Sequence, residues 1–140
     1  MNSSKQLPTV AKITAAISGL IHVLFFVMES IIWLEPAIYE TFQVESLADA
    51  EVLEVYVKNQ GYYNLFLAIG IFVALALAAK QPEISTALIT YISAFMVGAA
   101  IVLLFTIPAM ITGVFIQGLP PLITLITMRI MGSESTPVPA

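Results

Sequence analysis

Residues 9–34 read TVAKITAAISGLIHVLFFVMESIIWL, an apolar run of 26 residues that contains His22 and Glu29. An α-helix of this length spans roughly 39 Å, more than the ~30 Å hydrocarbon core of a bilayer. An ionisable residue at membrane depth costs on the order of 3 kcal/mol on insertion scales and usually faces a bundle interior. The run therefore predicts a membrane-spanning helix whose ionisable side chains face other helices.

His22 and Glu29 lie on the same face of this helix, because seven residues turn through about 700°. We interpret the pair as one wall of a buried polar site and as candidate acid–base groups. A carboxyl in apolar surroundings needs a partner or a use, whereas a lone histidine can be a satisfied core residue. Since the two residues are separated by about 10 Å along the axis, they cannot hold one metal ion, and we expect no metal site.

The composition restricts the chain to one membrane domain, residues 1–140. It is 59% hydrophobic and 10% charged, which is too apolar for an ordinary water-soluble domain. The net charge of −4 and the five scattered basic residues argue against a nucleic-acid partner. There is no cysteine, and one histidine cannot supply bis-histidine haem ligation, so no cofactor is predicted. The first run is too long for a cleaved signal peptide.

Three further membrane helices are predicted at about residues 58–80, 84–107 and 112–131. The segment 35–57 holds six of the nine acidic residues and lies outside the hydrocarbon. Within it, Ser46 followed by Asp49 resembles a capping box and predicts a short helix that leads into the next span.

Proline and glycine positions refine this arrangement. Pro120 and Pro121 predict a kinked or non-helical first third of the last helix. Gly19, Gly70 and Gly98 each belong to a stripe of small residues, which predicts close approach of another helix. The polar residues 132–140 are expected to form a disordered tail.

Four spans place both termini on one side of the membrane. Lys5, Lys12, Lys80 and Arg129 share that side, and only Lys58 lies on the other. Under the positive-inside rule, both termini are expected to be cytoplasmic and the acidic segment extracytoplasmic. The fold class is thus an all-α bundle of four transmembrane helices, with a short extracytoplasmic helix between the first two.

This topology brings polar residues of three helices to a similar depth in the outer leaflet, with His22 nearer the midplane. Amides in membrane helices often only bond neighbouring helices, worth about 1 kcal/mol or less each, so a purely structural role stays open. The expected ligand-binding residues around Glu29 are Gln60, Asn64, Gln117, Asn59, Tyr63 and Trp33.

With these residues identified, the chain resembles a family of small bacterial membrane proteins, the domain of unknown function 1304 family. The resemblance rests on His22…Glu29…Trp33…Pro36, on the block Asn59-Gln60-Gly61-x-Tyr63-Asn64-x-Phe66-Leu67-Ala68, and on Gln117-Gly118-x-Pro120 before an apolar helix. It implies a four-helix protein of the bacterial plasma membrane and carries no known activity. The segment before Gln117 departs from the family pattern, which leaves the start of the fourth helix open.

Three functions are compatible with this pattern. The first is a binding site, or an enzyme embedded in the membrane, for a small hydrophobic or lipid-like molecule. The second is a small proton-coupled transporter, which a chain this short would form as a homodimer. The third is a structural or partner-binding subunit. The absence of polar side chains from residues 65–79, the inner half of the second helix, argues against a continuous transport path.

Overall fold

The computed structural model describes residues 7–133, with side chains described to Ile130, and its regular structure in that range is entirely helical. Four long helices account for most of these residues. The helices, numbered in chain order, are α1, Thr9–Phe26, continued by a π-helical turn, Val27–Ile31; α2, Pro36–Tyr39, followed by a 3-10 turn, Glu40–Phe42; α3, Leu47–Leu77; α4, Pro82–Thr106; and α5, Ile111–Ser133, preceded by a 3-10 turn, Pro108–Met110.

Four helical segments in the described range are long and apolar enough to cross a membrane. They are Thr9–Ile31, Leu47–Leu77, Pro82–Thr106 and Pro108–Ile130. The predicted fold class, an all-α bundle of four transmembrane helices, is confirmed. The chain is therefore a multi-pass membrane protein.

The four long helices close a ring in which α1 and α4 each pack between α3 and α5. Because lipid tails are as apolar as a protein core, close packing and interhelical hydrogen bonds hold such a ring together, and small residues favour both. The centre of the ring is filled by Leu7, Ala15, Ile71, Ala74, Ile89, Ile92 and Met96.

The helix α3 is longer than the sequence suggests. A separate short helix and a span beginning near Lys58 were expected, but α3 runs unbroken for 31 residues from Leu47, so Lys58 lies inside it. The hydroxyl of Ser46 accepts a hydrogen bond from the Asp49 N–H at 3.2 Å, as the capping pattern predicts. No glycine or proline occurs between Leu47 and Gln60, so nothing interrupts the helix where it leaves the apolar region.

The helix α5 continues through Pro120 and Pro121 instead of becoming non-helical before them. Neither proline has an N–H to donate. Thr124 Oγ1 donates to the carbonyl of Pro120 at 3.0 Å, a bond within the helix one turn after the prolines. Of the predicted tail, Gly132 and Ser133 belong to α5 and the remainder lies outside the described residues.

Residues 32–46 connect the end of α1 to α3, pack against the first turns of α3 and form what we call the cap. Trp33, Tyr39 and Ala50 are buried in a second apolar cluster there. The Nε1–H of Trp33 donates to the carbonyl of Ala50 at 2.8 Å, and the Phe42 ring meets the Trp33 ring edge to face at 5.5 Å. The cap therefore ties the end of α1 to the first turn of α3.

The glycine positions show which small-residue stripes are contact faces. A Cβ at Gly19 would come within 2.9 Å of the Phe72 ring, and one at Gly70 within 2.7 Å of Ile92 Cδ1. Gly98 is different, because a Cβ there would meet nothing within 4 Å. The expected close approach at Gly98 is wrong, since this residue lies on the outer face of α4.

The α1–α3 crossing is tightest at Gly61, where a Cβ would collide with Ser30 Oγ and come within 3.0 Å of Glu29 Cβ. We expect Gly61→Leu to destabilise the bundle by about 1–3 kcal/mol, the usual cost of overpacking. Gly98→Leu is the matched control and should leave stability unchanged. Denaturant titration of both variants in detergent checks this; equal midpoints would show that the crossing tolerates a wider spacing.

Candidate functional site

Glu29 lies at the centre of the π-helical turn Val27–Ile31. The N–H of Ile32 bonds to the carbonyl of Val27 at 3.1 Å, five residues back, which is the wider π pattern. Such turns are rare and occur frequently at functional sites. The helix predicted for residues 9–34 thus ends in a π turn, and the altered winding sets the direction of the Glu29 side chain.

One oxygen of Glu29 is held by α3. The residue is only 6% exposed, and Asn64 Nδ2 donates to its Oε2 at 2.7 Å. Gly61 stands one turn before Asn64 and lets the backbones of α1 and α3 approach closely enough for this bond. The structure therefore joins Glu29 and Asn64, two residues that the sequence places together.

The other oxygen of Glu29 has no hydrogen-bond donor among residues 7–130. Within the described residues, Glu29 accepts no hydrogen bond besides the one from Asn64. In the same part of the chain, only Ser93 Oγ is both sealed from solvent and without a partner. Oε1 of Glu29 is consequently not fully sealed, and Glu29 lines the cavity described next.

A cavity of about 200 Å³ lies beside Glu29, between the end of α1 and the outer turns of α3. Ser30 fixes the distance between its two walls, because its hydroxyl donates to the Lys58 carbonyl at 2.9 Å. The buried Trp33 side chain connects the cavity to the cap. The lining residues are Glu29, Ser30, Ile31, Ile32, Trp33, Leu34, Glu35, Glu54 and Lys58.

Four of the expected ligand-binding residues stand elsewhere. Asn59, Gln60 and Tyr63 are exposed, and Gln117 is half-buried. Within residues 7–130, none of the four lines the cavity or hydrogen-bonds to Glu29. Gln60 precedes Asn64 by four residues but does not share its burial, because the buried face of α3 is a narrow stripe through Gly61, Asn64, Ala68 and Ile71.

His22 is buried, at 1% exposure, and separate from the cavity. Its Nδ1 lies 2.8 Å from the Ser18 carbonyl, and its ring meets the Phe25 ring edge to face at 5.8 Å. The seven residues between His22 and Glu29 correspond to about 10 Å along the axis, so the two side chains do not act on one small ligand.

Below His22, a line of buried hydroxyl groups continues toward the other end of the ring. Ser18 donates to the Thr14 carbonyl at 2.9 Å, and Thr14 and Thr124 share a hydrogen bond of 2.7 Å between α1 and α5. Ser93 on α4 is also fully buried. The hydrogen-bonded hydroxyls have local partners, as expected of groups that join helices.

Sequence reasoning missed Glu54 and Lys58 as lining residues. Their signal is present in the spacing, since Glu54, Lys58 and Gly61 follow one another at intervals of four and three residues, the repeat of one helix face. The repeat is recognised only if Glu54 and Lys58 belong to one helix, whereas the sequence predicts a helix boundary near Lys58. An unbroken helix across this segment places both side chains on the turns of α3 above Gly61.

The chemistry available at this site is that of a single buried carboxyl in a cavity with charged and apolar walls. No group of three or more metal-ligating side chains occurs in the described part of the chain. The arrangement can accept a hydrogen bond at Glu29, place an apolar group against isoleucine and leucine side chains, and present further charges at the mouth.

Comparison with known proteins gives one match, to a family model described as "Protein of unknown function (DUF1304)", over residues 16–129. This range contains the cavity, α3 and α4 in full, and most of α1 and α5. Neither the search of curated proteins nor that of solved structures gave a match.

The Glu29–Asn64 bond can be measured by a double-mutant cycle. Asn64→Leu leaves a buried carboxyl oxygen without its donor and should cost about 1–3 kcal/mol of unfolding free energy. In the Glu29→Leu background the same change should cost much less, because no polar group is left unpaired. Denaturant titrations in detergent give the four values. Additive costs would mean that the bond contributes nothing to stability.

Proposed function

The chain belongs to DUF1304, a family of proteins of unknown function, and we propose that its cavity beside Glu29 binds a small or lipid-like amphipathic molecule at the outer leaflet. The observation that carries the proposal is a nearly buried glutamate that lines a cavity, uses one carboxyl oxygen in a bond to Asn64 and has no donor for the other among the described residues. The same carboxyl can serve as an acid–base group toward a bound molecule. Binding is therefore required whether the protein only binds the molecule or also catalyses its reaction.

A purely structural role explains this carboxyl less well. A buried polar group without a hydrogen bond costs about 1–3 kcal/mol, so a group that only joins helices is expected to be fully paired. Thr14 and Thr124 behave in that way, since each hydroxyl has a partner in the neighbouring helix or its own backbone. Glu29 has one carboxyl oxygen without a donor among the described residues, and a ligand that enters the cavity would supply one.

The walls of the cavity favour an amphipathic occupant. Ile31, Ile32 and Leu34 line one side and are exposed, Ile31 most of all, as side chains in contact with lipid would be. Glu54 and Lys58 line the other side, on the part of α3 nearer the cap. A molecule in the cavity therefore meets an apolar and a charged surface at once.

A proton-coupled transporter is the alternative, and the line of hydroxyl groups below His22 favours it. Residues 65–79 have no polar side chain, but these hydroxyl groups on α1 and α5 place polar atoms in the same half of the bundle. The line is interrupted, however, between His22 and Glu29, where Phe25 and Phe26 pack against the rings of His22 and Tyr62. This gap of about 10 Å is the reason for preferring binding. The protein would act in the plasma membrane of a bacterium.

Glu29→Gln should abolish ligand retention without unfolding the protein, because the amide keeps hydrogen bonding and loses the charge. Wild-type protein and variant are purified in mild detergent, and their bound small molecules and lipids are extracted and quantified by mass spectrometry. A compound near one per protein in the wild type should be lost from Glu29→Gln.

Glu51→Gln is the matched control, since Glu51 is exposed on α3 and does not line the cavity. It should retain the compound. Identical extracts from all three proteins would contradict binding at Glu29. A proton flux through the wild-type protein in liposomes that Glu29→Gln removes would favour the transporter instead.

The orientation can be tested by single-cysteine labelling, because the chain has no cysteine of its own. The positive-inside rule places the cap outside and the α3–α4 turn inside. Asp49→Cys should therefore react with a membrane-impermeant maleimide on intact cells, and Gln81→Cys, also exposed, only after permeabilisation. The reverse pattern would move the proposed site to the inner leaflet.

A further inference from the structure

We propose that the cavity beside Glu29 recognises a primary ammonium group carried on an apolar tail, that is, a cationic amphiphile. This inference rests on the proposed binding function and names the chemical class of the ligand. It is carried by the charges of the lining, the size of the cavity and the apolar surface at its edge.

The charged groups that line the cavity are mainly acidic. Glu29, Glu35 and Glu54 contribute carboxyl groups, and Lys58 contributes the only amine of the lining. Glu29 is nearly buried, whereas Lys58 is exposed and can extend its amine into water. A ligand in the cavity therefore lies closest to carboxyl oxygens, which are acceptors and match an ammonium donor.

The free oxygen of Glu29 specifies the kind of cation. Oε1 lacks a hydrogen-bond donor among the described residues, so the group that completes the site must bring an N–H or O–H. A primary ammonium has three such donors and a positive charge, and its hydrogen bonds to a carboxylate are among the strong ones. A quaternary ammonium has no donor and would leave Oε1 unpaired.

The volume of the cavity accommodates a head group and not a whole drug-sized ligand. At about 200 Å³ it is smaller than the ~300–1,000 Å³ of ordinary small-molecule pockets. The rest of the molecule must lie outside the cavity. The exposed side chains of Ile31, Ile32 and Leu34 offer the apolar surface along which a tail would leave toward lipid.

The surface around the mouth would attract a cation. Residues 35–54 carry six acidic side chains and no lysine or arginine. Surfaces of one sign raise the local concentration of oppositely charged ligands and speed their association. A cationic amphiphile would thus be concentrated next to the cavity, and an anionic one repelled.

Trp33 provides the readout for a test, because it is the only tryptophan of the chain and lines the cavity. The protein is placed in nanodiscs of a neutral lipid, and its tryptophan emission is followed during titration with dodecylamine, dodecanol or dodecanoate. The three probes share one tail. Dodecylamine carries a positive charge at pH 7, as a lysine amine does.

Dodecylamine should change the Trp33 emission saturably and at about tenfold lower concentration than dodecanol, as a hydrogen bond between charged groups implies. Glu29→Gln should weaken this response about tenfold, and Glu54→Gln should weaken it in the same direction. Glu83→Gln, which changes an exposed carboxyl outside both the cavity and residues 35–54, should respond as the wild type does. Melting curves of the variants confirm that each is folded.

The remaining outcomes separate the two proposals. Equal responses to dodecylamine and dodecanol would overturn the ammonium class and leave amphiphile binding in place. A tighter response to dodecanoate that Lys58→Gln removes would overturn it in favour of an anionic head group. No saturable response to any probe, or responses that Glu29→Gln leaves unchanged, would overturn both proposals.

Discussion

The close approach of α1 and α3 at Gly61 is the contact on which the arrangement of the site depends. A side chain at this position would collide with Ser30 and separate the two helices. With glycine there, Asn64 reaches Glu29 at 2.7 Å and Ser30 reaches the Lys58 backbone at 2.9 Å. A missing Cβ thus allows two interhelical hydrogen bonds, and in a membrane such contacts replace the hydrophobic driving force between helices.

The cap and the cavity follow from the same crossing. Because α3 is continuous past Lys58, its first turns stand above the crossing and give Trp33 a backbone carbonyl to bind, that of Ala50. Trp33 is then held at the edge of the cavity by its own hydrogen bond and by the Phe42 ring. The polar and apolar walls of the cavity are therefore positioned by one rigid helix and one anchored side chain.

Much of the fold could be predicted from the sequence, because a helix that crosses a bilayer needs about 20 consecutive, mostly apolar residues. The cost of an ionisable group at membrane depth identifies Glu29 as a candidate site residue. The predicted topology places Asn64 at a similar depth on the next long helix, which identifies it as a partner. The π turn has no comparable sequence signal, since it depends on how α1 meets α3 and the cap. Gly98 was assigned to a contact face because a small-residue stripe does not reveal whether a helix stands opposite it. Gln60 was expected at the site because it precedes Asn64 by four residues, about one helical turn. This spacing does not show how narrow the buried stripe is, and in α3 the stripe excludes Gln60.

The length of α3 links the cavity to the thickness of the surrounding bilayer. A helix of 31 residues measures about 46 Å, roughly 16 Å more than the hydrocarbon core, so about ten residues must project or the helix must tilt. Lys58 lies eleven residues from the first residue of α3, near the level at which hydrocarbon gives way to head groups. In a thicker membrane, hydrophobic mismatch would draw the charged side of the cavity into the head-group layer, and in a thinner one it would raise that side into water. The depth from which the cavity can be entered is thus a property of the lipid as well as of the protein.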